Sequence, residues 1–73
     1  MTFSDAIKII RKKRLLSQEA FAKELGISFT TVNRWETGKS VPTYKMLKCI
    51  DDFCKRNGID INISDLLTED DKK

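Results

Sequence analysis

The stretch SQEAFAKELGISFTTVNRWETG, residues 17–38, decides the fold. It contains two segments of helical length, Gln18 to Leu25 and Phe29 to about Thr37, and a serine stands directly before each of them. A serine hydroxyl at this position accepts a backbone N–H of the first turn, so both serines are predicted N-caps. Gly26 and Gly38 end the segments, because glycine takes positive φ angles without steric cost. Two short helices joined by a tight glycine turn form a helix-turn-helix.

The second of these helices has two different faces. Val32 and Trp35 are three residues apart, so they share one side, and we expect that side to pack inward. The opposite side carries an aromatic ring, a hydroxyl, an amide and a guanidinium, from Phe29, Thr30, Asn33 and Arg34. A face that is only solvated would be expected to hold strong helix formers such as Glu, Lys and Gln instead. We therefore interpret this side as a contact surface, and an ordinary solvated face is the alternative.

Further helices flank the motif. Ser4 and the apolar spacing after it predict a helix over about residues 4–13, and Thr43 caps a helix that runs to about Asn57 before Gly58. The inward face of this last helix is expected at Tyr44, Leu47, Ile50 and Cys54. The sequence thus predicts one all-α domain over residues 1–67, a compact bundle of four to five short helices, with a frayed tail over 68–73.

Two apolar features near the C-terminus have more than one interpretation. Met46, Cys49 and Phe53 form a second stripe at helical spacing, and residues 59–63 alternate isoleucine with polar residues, which is typical of a short extended segment. Either feature offers a self-complementary patch for a homodimer. The alternative is that the tail folds back and covers the stripe within one monomer.

The charge distribution favours a polyanionic partner at one end of the chain. Residues 1–48 hold ten Lys and Arg against four acidic residues, a net charge of +6, whereas residues 49–73 have a net charge of −3 from four basic and seven acidic residues. Nucleic acid and an acidic membrane face both fit such a basic half. Because the chain has no His, no Gly-rich phosphate loop and no paired carboxylates, we expect neither an enzyme nor a metal or cofactor site.

The apolar and cysteine patterns of the sequence predict a cytoplasmic protein. No apolar run approaches the length of a membrane span, and Asp5 and Lys8 interrupt the N-terminal residues that a signal peptide would need to be apolar. Cys49 and Cys54 would lie about 7.5 Å apart along a helix and point in different directions, which is beyond the reach of a disulfide. We therefore expect reduced thiols.

Nearly the whole chain, from Ile7 to Leu67, resembles the lambda-repressor and Cro type of helix-turn-helix protein, the XRE family. The resemblance is carried by spaced residues in the stretches LSQE, FA, LGIS, VNRWE and GK between residues 16 and 39, and by Pro42. It implies a bundle of five short helices whose third helix enters the major groove, and a transcriptional regulator, repressor-like, that binds operator DNA as a dimer. Two departures are a heavier basic run over residues 12–14 and a longer tail after Gly58.

The resemblance also implies roles for single residues. In many family members, the residues that match Phe29, Thr30 and Arg34 read bases. We group Asn33 with them, as a contact to adenine or to a phosphate. Gln18 and Lys39 match phosphate contacts, to which we add Ser17, Ser28 and Lys45. Arg11 and Glu36 match an ion pair that holds the first helix to the end of the third. The alternative function is a protein-interaction module, such as an antitoxin or a controller component, that uses the same fold to bind a protein partner.

Overall fold

The computed structural model describes residues 2–61, and these residues form four α-helices and no strand. The helices are α1 (Phe3–Lys13), α2 (Gln18–Leu25), α3 (Phe29–Glu36) and α4 (Tyr44–Arg56). This confirms the predicted all-α bundle. Three predictions fall on residues outside the described part of the chain: the fifth helix that the resemblance implies, the frayed tail over residues 68–73, and the isoleucine alternation at residues 62–63.

Each helix begins at a side-chain cap. The hydroxyls of Ser17, Ser28 and Thr43 accept backbone N–H groups of α2, α3 and α4, as the sequence predicts. The first helix begins one residue before its predicted start near residue 4, because Thr2 accepts the N–H of Asp5 at 3.2 Å and α1 begins at residue 3. The earlier start places an aromatic ring, that of residue 3, in the first turn of α1, where it is buried.

All four helices end in the same type of turn, in which the chain leaves through a residue with positive φ. Glycine supplies that residue after α2, α3 and α4, with φ angles of 73°, 76° and 66°. After α1 the residue is Leu15, with φ 57°. Its N–H donates to the carbonyl of Lys12 at 2.9 Å, and the N–H of Leu16 donates to the carbonyl of Arg11 at 3.2 Å. Because no glycine marks this turn, local sequence rules do not predict it.

One core joins the four helices. The rings of Phe3 and Trp35 meet edge to face with centroids 5.7 Å apart and connect α1 with α3. The rings of Phe21 and Phe53 meet in the same way at 5.3 Å and connect α2 with α4. The buried apolar side chains are those of Phe3, Ala6, Ile7, Ile10, Phe21, Ala22, Val32, Trp35, Leu47, Ile50, Phe53, Cys54 and Ile59. The predicted inward face of the third helix, at Val32 and Trp35, is confirmed.

The structure corrects the predicted faces of α4. Tyr44 is 71 % exposed rather than inward, because the buried face of α4 begins one turn later, at Leu47. Phe53 is fully buried against Phe21, so it belongs to the core and not to a contact patch. The apolar face of α4 is wide enough to include Phe53 beside Cys54, since a helix packed on several neighbours buries a broad stripe.

The segment after α4 also departs from its prediction. Ile59 is buried, and Ile61 is half-buried against the same core. Residues 59–61 form no strand, and the N–H of Ile61 donates to the carbonyl of Ile59 at 3.1 Å, within the segment itself. The interpretation of Ile59 as part of an exposed patch for a homodimer is therefore wrong, because its side chain covers the core of its own chain.

Candidate nucleic-acid interface

The solvent face of α3 carries the four side chains predicted to read bases. Phe29 is 47 % exposed, and Thr30, Asn33 and Arg34 are exposed as well. Val32 and Trp35 on the opposite side are buried, so the helix is held from behind by the core. The structure thus brings the four predicted residues together on one exposed surface, which we call the α3 face.

The α3 face is oriented by the turns at both ends of the helix. Before α3, the N–H of Ile27 donates to the carbonyl of Ala22 at 2.9 Å, which closes the turn through Gly26. After α3, the N–H of Lys39 donates to the carbonyl of Arg34 at 2.9 Å, which closes the turn through Gly38. The second turn places Lys39 directly beside the end of α3, next to the α3 face.

The residues predicted to contact phosphate lie at helix starts and in this turn, and most are exposed. Ser17, Ser28, Lys39 and Lys45 are exposed, while Gln18 is half-buried. The Ser17 oxygen accepts the N–H of Ala20 at 3.0 Å, and its hydroxyl keeps a proton that can be donated. The Ser28 hydroxyl also lies 2.9 Å from that of Thr31, and either of the two can be the donor. The first turns of α2 and α3 also present backbone N–H groups that lack intrahelical acceptors.

A bidentate ion pair joins α1 to α3 beneath this surface. The Nε of Arg11 lies 2.6 Å from Oε2 of Glu36, and its Nη2 lies 3.0 Å from Oε1. The Nη1 of Arg11 donates to the carbonyl of Leu16 at 2.9 Å, so the guanidinium also holds the turn between α1 and α2. The exposed fractions of the two side chains are 16 % and 4 %. Arg11 is thus engaged inside the protein.

Two amide side chains extend this ion pair toward the α3 face. The Nε2 of Gln18 donates to Oε1 of Glu36 at 3.0 Å, and the Nδ2 of Asn33 donates to Oε1 of Gln18 at 3.3 Å. The resemblance predicts a phosphate contact for Gln18, and nothing in the sequence predicts its bond to Asn33. Gln18 is 15 positions from Asn33 and 18 positions from Glu36 in the sequence, so only tertiary packing brings these side chains together.

The environment of Glu36 keeps its carboxylate charged. Burial opposes the charged form, but the hydrogen bonds from Arg11 and Gln18 and the charges of Arg11 and Lys8 outweigh burial, so the pKa of Glu36 lies below its usual value. The hydrogen bond to Glu36 correspondingly raises the pKa of Arg11. Both partners therefore carry their charges throughout the neutral pH range.

The remaining reactive groups do not form a second site in the described part of the chain. Cys49 and Cys54 are free thiols, as predicted, and burial together with Asp51 raises the pKa of Cys54 to about 11. Within residues 2–61, no three His, Cys, Asp or Glu side chains are grouped so that they could hold a metal ion. None of the described helices has the length and apolar character that a membrane span requires.

Comparisons with known proteins agree with this geometry. The helix-turn-helix family profile matches residues 7–57. The HTH-type transcriptional activator BcrR of Enterococcus faecalis is 38 % identical to the chain over 53 residues. That alignment covers 73 % of this chain but 26 % of the activator, so the chain spans about a quarter of that relative's length. No solved structure matches the chain significantly.

Proposed function

Because the chain belongs to the XRE-type helix-turn-helix family of DNA-binding proteins, we propose that it binds double-stranded DNA sequence-specifically, with α3 in the major groove. The observation that carries this proposal is the α3 face, where base-reading types of side chain stand exposed on a helix that the core holds from behind. A B-DNA major groove admits an α-helix, and its base edges present distinct patterns of donors and acceptors.

Each side chain of the α3 face suits a different base. Arg34 has the geometry for two hydrogen bonds to guanine, which is the commonest specific contact in protein–DNA complexes. Phe29 and the methyl group of Thr30 suit the methyl group of thymine. Asn33 suits adenine, to which an amide both donates and accepts.

Phosphate contacts would flank these base contacts. Lys39 and Lys45 are exposed cations, and Ser17 and Ser28 stand at the N-termini of α2 and α3, where backbone N–H groups favour an anion. Because the Gln18 side chain is hydrogen-bonded within the protein, a phosphate contact from this residue would come from its backbone N–H. The net charge of +6 over residues 1–48 supplies the sequence-independent attraction.

Regulation and assembly form the second part of the proposal. The relative's name describes an activator of transcription, whereas we propose a repressor-like role here, since occupying an operator requires only the DNA-binding surface. One recognition helix reads few base pairs, so we propose a homodimer on two half-sites about 34–36 Å apart. A reporter placed behind the selected operator distinguishes repression from activation by the sign of the change in its expression.

Selection of binding sites from random duplexes tests the proposal. We expect one enriched sequence with two half-sites in inverted repeat, because a two-fold dimer presents two copies of the α3 face. If no duplex is enriched and none is bound even at low salt, DNA binding is excluded. The interaction module with a protein partner would then be the better account of the fold.

A further inference from the structure

Two hydrogen bonds link Asn33 to Glu36 through Gln18, and the charge of Glu36 determines which group donates in each of them. An ionised carboxylate only accepts hydrogen bonds. Glu36 is buried and charged, and its Oε1 lies 3.0 Å from the amide of Gln18. The group of Gln18 that faces Glu36 must therefore be its NH₂, because an amide oxygen at this distance would be repelled by the carboxylate.

The orientation of Gln18 in turn fixes the orientation of Asn33. With its NH₂ directed toward Glu36, Gln18 presents its carbonyl oxygen toward α3, where the Nδ2 of Asn33 lies 3.3 Å away. A reversed Asn33 amide would bring two carbonyl oxygens together. Asn33 thus uses one N–H toward Gln18 and keeps its other N–H and its Oδ1 for an external partner.

From this we propose that Gln18 is a positioning residue for base recognition: anchored by Glu36, it holds the Asn33 amide in the orientation that reads adenine. The inference rests on the proposed function, because it assigns a further residue to the same α3 face. Adenine presents an acceptor at N7 and a donor at N6 in the major groove. The free N–H and Oδ1 of Asn33 complement these two groups.

The location of the network separates this role from a purely structural one. Gln18 is half-buried and Asn33 is exposed, so neither contributes to the apolar core. The cap of α2 is the side chain of Ser17, and the ion pair between Arg11 and Glu36 has its own two hydrogen bonds. Loss of the Gln18 amide therefore removes one hydrogen bond to Glu36 but leaves the ion pair and the fold in place, and it changes the orientation of Asn33.

A double-mutant cycle on DNA tests the proposal. Affinity is measured for wild type, Gln18→Leu, Asn33→Ala and the double variant, on the selected operator, on operators with each base pair changed in turn, and on an unrelated duplex. We expect Gln18→Leu to lower the preference for one A·T pair about tenfold, at the same pair that Asn33→Ala affects. The double variant should match Asn33→Ala alone. Affinity for the unrelated duplex should stay at the wild-type value, and Gln18→Leu should remain folded, with its unfolding midpoint lowered only by the lost hydrogen bond to Glu36.

Two results on DNA overturn the inference. One is an equal loss of affinity on every duplex with all base preferences retained, which would make the Gln18 side chain a phosphate contact. The other is additive losses in the double variant, which would make Gln18 and Asn33 independent. Absence of sequence preference in the wild-type protein would overturn the proposed function, and this inference with it.

Side-chain amide resonances of the free protein provide a measurement that needs no DNA. We expect the Asn33 NH₂ signals to move in Gln18→Leu, and the Gln18 and Asn33 NH₂ signals to titrate together in acid as Glu36 is protonated. A control variant, Glu19→Gln, changes the neighbouring exposed residue of α2 and should leave the Asn33 signals in place. Asn33 signals that ignore both Gln18→Leu and the titration would show that the network does not hold Asn33, whatever the result on DNA.

Discussion

The carboxylate of Glu36 on α3 lies 2.6 Å from the Nε of Arg11 on α1, in a pair that is almost closed to solvent. The pair fixes α3 to the first helix and also anchors Gln18 of α2. Three helices therefore meet at one charged group directly behind the surface that we propose to read DNA.

Breaking this pair on one side should destabilise the fold. Arg11→Met leaves the buried carboxylate unpaired, so we expect a loss of about 3 kcal/mol in the free energy of unfolding. The double variant Arg11→Met with Glu36→Leu should lose clearly less, because no uncompensated charge remains. Urea unfolding followed by the fluorescence of the buried Trp35 measures both losses. A double variant no more stable than Arg11→Met would contradict this reading of the pair.

Stability should also depend on pH through Glu36. The pKa of Glu36 is lowered in the folded protein from 4.5, so its contribution is fully present above that value and is lost as the pH falls through the folded pKa. We expect the thermal unfolding midpoint of wild type to fall more steeply below about pH 4.5 than that of Glu36→Gln. Parallel curves for the two proteins in acid would show that Glu36 is not stabilised by its partners.

The core position of Phe53 predicts a large loss on truncation. Phe53→Ala removes the ring that meets Phe21, and we expect a cost of about 3–5 kcal/mol. Tyr44→Ala on the same helix is the matched control and should stay within about 0.5 kcal/mol of wild type, because its ring is 71 % exposed. Chemical unfolding of both variants is the measurement. If Phe53→Ala were a monomer as stable as wild type, Phe53 would be an interface residue and not a core residue.

The turn after α1 offers a stabilising substitution. Leu15 has φ 57° and is 92 % exposed, so it bears a backbone cost that glycine avoids without losing a buried side chain. We expect Leu15→Gly to raise the free energy of unfolding by up to about 1 kcal/mol, and the β-branched Leu15→Val to lower it. Gly26→Ala, at φ 73°, is the converse control and should destabilise. Equal stability of the glycine and valine variants would contradict the claim that the backbone at Leu15 is strained.

The sequence was sufficient where a local rule sets the structure. Serine and threonine caps predicted the starts of α2, α3 and α4, and glycines predicted three of the four helix ends. Helical periodicity predicted that Val32 and Trp35 are buried. These features depend on residues within one or two turns of one another.

Local rules were insufficient where packing decides. Periodicity predicted that Tyr44 faces inward and that Phe53 belongs to a second stripe beside the core, whereas Tyr44 is exposed and Phe53 is buried. The extent of the core on α4 depends on the packing of α2 against it, through the rings of Phe21 and Phe53. The bonds from Gln18 to Glu36 and Asn33 join different helices and have no signature in the spacing.

The most direct test of DNA reading by α3 compares Arg34, a cation of the α3 face, with Lys39, a cation beside it. Affinities of wild type, Arg34→Ala and Lys39→Ala are measured on the selected operator, on its single base-pair variants and on an unrelated duplex, over a range of salt concentrations. Arg34→Ala should cost about 1–3 kcal/mol on the operator and remove the preference at one base pair. Lys39→Ala should weaken all duplexes alike and reduce the slope of log affinity against log salt by about one. Identical behaviour of the two variants on specific and unrelated DNA would contradict the assignment of α3 as the reading helix.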